Sequence, residues 1–174
     1  MLSRRQVLLG GAGVVAVAAG SAGALSIFGR ADAASGAFPI EMTREEWKAK
    51  LSPRQFAVLR DADTERAFTS PLNDEHRAGT FHCAGCDNAL YSSEAKFDSG
   101  TGWPSFYKPI EEGAVKNSTD YKLVYPRTEE HCADCGGHLG HVFDDGPPPT
   151  GKRHCINGVA LVFRPQGGGE PVLG

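Results

Sequence analysis

Polar and apolar positions divide the chain into three unequal stretches. The first is an uncharged run from Val7 to Phe28, made mostly of Val, Leu, Ala and Gly, and long enough to cross a bilayer. The second, MTREEWKAKLSPRQFAVLRDADTERAF, has helical spacing: Trp47 and Leu51 share one face, and so do Phe56 and Leu59. Thr43 with Glu46 three residues on makes a capping box, and Ser52 before Pro53 sets a cap residue ahead of a proline at the first helical position. Two short helices are predicted here as covers for a sheet. From Gly79 onward the period shortens to two, and Gly, Pro, Asn and Asp interrupt every few residues. Strands are predicted at 79–84, 88–92, 113–118, 121–125, 139–144, 152–157 and 159–164, with Val159, Leu161 and Phe163 on one side of the last. The prolines of DDGPPPTG exclude a central strand there, and RPQGGGEPVLG reads as a loose tail. The fold class that follows is mainly β, antiparallel sheets with two leading helices.

Arg4 and Arg5 precede the apolar run, and Ala31-Asp32-Ala33 after it offers a small-x-small cleavage site. That order is the layout of an export signal. SRRQVLL resembles the twin-arginine class, which the many glycines and alanines suit because they keep the run only moderately apolar. An uncleaved membrane anchor is the competing reading. The expected organisation is an export signal at 1–33, a linker at 34–42, one domain at 43–165 and a flexible tail at 166–174. The protein is expected in the periplasm or otherwise outside the cytoplasm, held to the membrane if the signal stays attached. Cleavage after Ala33 would shift the net charge from −3 to −5. That balance argues against a nucleic-acid partner, which would show a basic domain or stripe.

Five cysteines, an odd number, stand at 83, 86, 132, 135 and 155. CAGC and CADCGGH give two C-x2-C pairs with 45 residues between them. Each pair can place two thiolates on one turn, and two such turns face to face give the tetrahedral four-sulfur shell that zinc prefers. Gly85 and Gly136, or their neighbours, are expected to relieve the tight backbone of each turn. Cys83, Cys86, Cys132 and Cys135 are thus expected to hold a structural Zn2+, with no open position for catalysis. Two disulfides, a redox pair or an iron–sulfur centre are compatible with the same residues.

Cys155 is then left over, and in an exported chain a free thiol calls for a function. On a strand over 152–157, Arg153, Cys155 and Asn157 point to one face and His154 and Ile156 to the other. Arg153 would favour the thiolate, and Asn157 could orient a partner. The plainer alternative is a buried, inert cysteine. HLGHVF adds His138 and His141, either of which can move a proton near neutral pH. Residues three apart on a strict strand face opposite ways, so joint action requires a bend or bulge at Gly140. Hydrogen bonding to the neighbouring cysteine turn is their plainer role.

CAGC, SGTGWPSF, CADCGGHLGHVFDDGPPPTGKRHCIN and ALVF, in that order, resemble the methionine-R-sulfoxide reductase B family over roughly residues 42–165. The resemblance implies two antiparallel sheets stapled by a four-cysteine zinc site, with a few helices outside. It implies that Cys155 attacks the sulfoxide sulfur and becomes a sulfenic acid, with His141 as preferred proton donor and His138 as a hydrogen-bonding group on the oxygen side. Asn157 would help place the substrate, Arg153 would tune the thiolate, and Trp103 would face the methyl group. Many family members place a recycling cysteine where this chain has Thr101, and His154 replaces a frequent aromatic residue. Recycling is therefore expected from an external thiol, a thioredoxin-like protein or a small thiol, with no tightly bound organic cofactor. Oxidised proteins or peptides are the expected substrates, and a monomer would suffice. A peroxide-reducing thiol enzyme and a zinc-stapled binding module are the rival functions, and loss of Cys155 separates the last from either enzyme.

Overall fold

The computed structural model describes residues 38–122 and 125–174. The expected export signal at 1–33 lies outside the described residues. Both expected helices form. Arg44–Lys50 (α1) starts at Thr43, whose Oγ1 accepts the Glu46 N–H at 3.2 Å while the Glu46 carboxylate accepts the Thr43 N–H at 2.7 Å. Pro53–Asp61 (α2) starts at Ser52 in the same reciprocal arrangement with Gln55. Trp47, Leu51, Phe56 and Leu59 are all buried, so the helices cover the sheets through the residues whose spacing predicted it.

Ten strands follow among the described residues: Gly79–Cys83 (β1), Ala89–Ser92 (β2), Lys96–Phe97 (β3), Ser105–Phe106 (β4), Val115–Asp120 (β5), Arg127–Cys132 (β6), His138–Phe143 (β7), Arg153–Ile156 (β8), Leu161–Pro165 (β9) and Val172–Leu173 (β10). They form one sheet in the order β10-β9-β1-β2 and another in the order β3-β4-β8-β7-β6-β5, antiparallel throughout. Aromatic rings join the sheets. Phe81 lies 4.9 Å from both Phe163 and Phe106, and Tyr91 stacks on Phe106 at 4.3 Å. All four are fully buried, each worth about 1.5–3 kcal/mol of apolar transfer.

Four expectations change. Residues 121, 122 and 125 carry no strand; the ladder resumes instead at β6, which the sequence hid because its inward position is Glu130, a fully buried carboxylate. The segments at 152–157 and 159–164 do not share a sheet: a one-turn 3-10 helix at Gly158–Ala160 carries the chain from β8 in one to β9 in the other. The tail is not loose to its end, since β10 pairs with β9 and the Gly174 N–H reaches the Leu161 carbonyl at 3.2 Å. Within the expected linker, Phe38 packs edge-on against His131, and the Ile40 N–H bonds to the Asp134 carbonyl at 2.8 Å.

Candidate active site

The two C-x2-C turns meet as their spacing requires. One follows β1 and the other connects β6 to β7. The left-handed position of the second turn is Gly136, as expected, but in the first it is Asp87 (φ 66°), not Gly85. All five cysteines are free thiols, and the four Sγ atoms of the turns lie within 4.8 Å of one another. Cys83 and Cys135 are 3.7 Å apart and Cys86 and Cys132 3.5 Å, too far for disulfides. Four sulfurs about 2.3 Å from one metal ion would stand about 3.8 Å apart in a tetrahedron, so the donor set fits a metal. Hydrogen bonding within the quartet, Cys132 first, pushes Cys83 and Cys86 up and holds Cys135 down, as expected of thiols crowded enough to share protons. Arg60 of α2 bonds to the Cys135 carbonyl at 2.8 Å and adds positive charge beside that thiol.

Cys155 lies in mid-sheet, on β8 between Ser105 of β4 and His141 of β7. Paired residues on neighbouring strands share a face, so one row runs Ser105, Cys155, His141, Glu129 across four strands. His138 joins that face through a bulge. Glu130 pairs with Gly140 but His131 pairs with His138, which leaves Leu139 as the extra residue. The irregularity is present, at Leu139 rather than at Gly140 where it was expected, and it brings the two imidazoles to 5.5 Å between ring centres. Gly140 is needed for a different reason: a Cβ there would run into the Cys155 carbonyl oxygen.

Each histidine is fixed by a carboxylate. His138 Nδ1 donates to Glu129 at 2.6 Å, and His141 Nε2 donates to Asp120 at 2.8 Å. Burial raises Asp120, but hydrogen bonds from the Lys122 N–H, His141 and Arg127 outweigh it and hold this carboxyl well below the usual range. His141 is pushed down by burial, with Asp120 opposing. The Nε2 of His138 is buried and has no partner among the described residues. Among the described residues, each ring thus has one nitrogen that makes no hydrogen bond to a protein group.

A cavity of about 110 Å³ opens above Cys155. His141, Trp103, Phe143, Gly140 and Asn157 line it, with Thr64 and Arg127 at its edge. His138 and Arg153 do not line it. Arg153 makes a two-pronged ion pair with Asp145 at 2.8 Å and lies over the Phe143 ring at 4.3 Å. Burial pushes the Cys155 thiol up; the Thr101 hydroxyl, the Arg153 charge and the Ser105 hydroxyl pull the other way without overcoming it.

The family model described as the SelR domain matches residues 51–165. The peptide methionine sulfoxide reductase MsrB of Pseudomonas putida (strain W619) is 56% identical over 129 residues, 74% of this chain and 97% of that protein. Proteins of the same name from Thiobacillus denitrificans and Leptospira interrogans are 53% and 46% identical, covering 71% and 74% of this chain and 94% and 98% of their own. The chain belongs to the MsrB family. Membership makes it an oxidoreductase, and the two sheets, the metal-binding quartet and the free fifth cysteine are in place for that chemistry.

Several residues of this MsrB-family site escaped the sequence reading. Glu65 is the most connected. Its N–H bonds to Asn157 Oδ1 at 3.0 Å, its carbonyl accepts the Trp103 indole N–H at 3.1 Å, and its carboxylate accepts the N–H groups of Gly158 and Val159. Asn157 also donates to the Leu139 carbonyl at 2.9 Å, so both ends of its amide are spent on holding the cavity wall together. Asp120 and Glu129 carry no signal in sequence because their partners lie on other strands. Around Thr101, the Ser99 hydroxyl lies 2.8 Å from those of both Thr101 and Ser105, and Thr101 Oγ1 is 3.8 Å from Cys155 Sγ.

Proposed function

We propose that this peptide-methionine (R)-S-oxide reductase reduces methionine-R-sulfoxide, preferably in proteins, by attack of the Cys155 thiolate on sulfur. The observation that carries this reading is a single free thiol at the floor of a cavity walled by Trp103 and flanked by His141. The aromatic wall takes the methyl group, and the imidazole side takes the oxygen. Cys155 forms a bond to sulfur while the sulfoxide oxygen gains a proton from His141. The oxygen then passes to Cys155, methionine leaves, and the two electrons gained by the substrate appear as a Cys155 sulfenic acid. His138, behind His141 and bonded to Glu129, supports the charge that develops on the neighbouring ring.

Thr101 cannot form a disulfide, and the other four cysteines belong to the quartet. An external thiol therefore attacks the sulfenic acid, releasing water, and a second thiol frees Cys155 as thiol. The quartet holds Zn2+ as a staple, the metal that suits four thiolates in a closed shell. The proposed chemistry requires one chain only, acting as a monomer. The sequence 1–33 exports the protein by a twin-arginine route, with the periplasm as its place of work.

The test supplies separate R and S diastereomers of N-acetylmethionine sulfoxide with dithiothreitol. The R form is consumed and the S form is not; consumption of S alone refutes the proposal. Substitution Cys155→Ser abolishes turnover, whereas a binding module would keep its function.

A further inference from the structure

Trp103 is the wall of two cavities. The second is a groove of about 190 Å³ that Cys155 does not line and whose apolar side is made by Phe68, Phe97, Trp103 and Pro104. Phe68 is unusual twice over. It is 74% exposed, and its backbone is left-handed (φ 64°), a conformation that bulky residues rarely adopt and that persists only where the surroundings enforce it. The enforcement is visible: the Phe68 N–H bonds to the Gly102 carbonyl at 2.8 Å, and its ring lies so close over Gly102 that a Cβ there would meet it at 2.8 Å. The same Gly102 carbonyl accepts from the Asn73 side chain at 3.1 Å. An aromatic side chain is thus held out in solvent beside the residue that precedes Trp103, although burying it would be favourable.

The groove also has a sign. Asp74 and Asp98 stand exposed along it. Its cation, Lys96, is half-buried, donates to the Asn73 carbonyl at 2.7 Å and interacts with Asp74 and Asp98, which outnumber it, and His76 is the remaining titratable group. Aromatic walls with a carboxylate rim suit a side chain that is apolar along its stem and cationic at its tip.

We propose that this groove is a second subsite, which receives a lysine or arginine side chain one or two residues from the oxidised methionine of a protein substrate. The inference rests on the reductase reading above, because the groove matters only if a methionine side chain occupies the neighbouring cavity. An extended peptide advances about 3.3–3.6 Å per residue, so neighbouring side chains of one strand can enter cavities that share a wall. The subsite would let a single enzyme repair methionines in basic surface segments faster than free methionine sulfoxide.

The experiment uses blocked pentapeptides with a central methionine-R-sulfoxide and Lys, norleucine or Glu at each flanking position, with N-acetylmethionine-R-sulfoxide alongside. The Lys peptide is expected to exceed the Glu peptide in kcat/KM by about fivefold, mainly through KM, at one or more flanking positions. Phe68→Ser should lower kcat/KM for the Lys and norleucine peptides together, and Asp74→Asn with Asp98→Asn should collapse the Lys-to-Glu ratio toward one. Equal kcat/KM for Lys, norleucine and Glu at every position overturns the subsite while N-acetylmethionine-R-sulfoxide still turns over. A preference that survives both aspartate substitutions also overturns it. Absence of turnover with every substrate would instead strike the reductase reading. Equilibrium binding of the same peptides to the Cys155→Ser protein then tests the groove without chemistry, where equal affinities overturn the subsite and a Lys preference lost in the aspartate variant supports it.

Discussion

Glu65 offers the sharpest test of how the cavity is held. Its carboxylate is buried and accepts two backbone N–H groups, those of Gly158 and Val159, just after β8. Glu65→Ala strands both donors, and each buried donor without an acceptor costs about 1–3 kcal/mol, so about 2–6 kcal/mol is at stake. Glu65→Gln keeps one acceptor oxygen but turns an NH2 group toward a second donor, which places it near the lower end, about 1–3 kcal/mol. Urea unfolding followed by tryptophan fluorescence measures this. At a slope of about 1.5 kcal/mol per molar urea, the alanine midpoint falls by about 1.3–4 M.

The pH dependence adds a signed check. Burial raises the Glu65 pKa, with the Gly158 and Val159 hydrogen bonds opposing. The folded protein therefore holds this proton more tightly than the unfolded chain. The corresponding stability is fully present below the ordinary carboxyl pKa and is lost as pH rises through the raised value. Glu65→Gln has no such proton and should lose that part of the slope. Because the Glu65 carboxylate anchors the backbone segment whose N–H and carbonyl hold Asn157 and Trp103, loss of that anchor in the alanine variant should also raise KM for the sulfoxide. An alanine midpoint within about 0.3 M of the unsubstituted protein would refute the assignment, as would a glutamine variant with an unchanged pH slope over that interval.

Thr101→Val removes a hydroxyl that pulls the Cys155 pKa down; the midpoint of iodoacetamide alkylation against pH should move upward, and a midpoint that stays or falls refutes the role. Stripping the quartet's metal with a strong chelator should release about one ion per chain and lower Tm sharply, since such sites contribute about 10 kcal/mol or more to folding; calorimetry and metal analysis check it, and an unchanged Tm after metal loss counts against the staple. Glu130→Ala orphans the Tyr91 hydroxyl and His154 Nδ1, both of which bond to its buried carboxylate, and should cost about 3–5 kcal/mol in urea unfolding. Replacing all three partners, by Tyr91→Phe, Glu130→Val and His154→Phe, should cost less than the single change, because no polar group is then left buried alone.

The parts of the fold legible in sequence were those whose signal is local. A capping box at Thr43 announced α1, and Ser52 as a cap residue before Pro53 announced α2, at the correct residues, because both caps find their partners three positions away. The cysteine spacing announced the quartet for a similar reason: each half is a turn that folds on itself. Strand β6 was hidden because RTEEHC lacks the apolar alternation of a half-buried strand. Its inward position, Glu130, meets His154 at 2.6 Å and Tyr91 from two other strands, so a polar residue satisfies the core where an apolar one was expected. His154 and Glu130 lie 24 positions apart and explain each other only in space. The same holds at the cavity, where Cys155, His141 and Trp103 could be picked out singly, but Asp120, Glu129 and Glu65 act through partners that pairing alone brings near.

The bulge in β7 ties the staple to the chemistry. Regular pairing from the quartet into β7 would put either His138 or His141 on the Cys155 face, but not both, since they are three residues apart. The slip at Leu139 places both there, and it lies between two anchors. On one side the Cys132 N–H closes on the Gly137 carbonyl at 2.9 Å within the second cysteine turn, which sets the register at which His138 enters the strand. On the other side the close approach of Gly140 to the Cys155 carbonyl fixes β7 against β8. The extra residue, Leu139, is fully buried, and its carbonyl accepts from both the Asn157 backbone and side chain at 2.9 Å, so the slip cannot relax by moving along the strand without breaking the cavity wall. A metal in the quartet would touch no reacting atom, yet it would hold the turn from which the register of both histidines is counted.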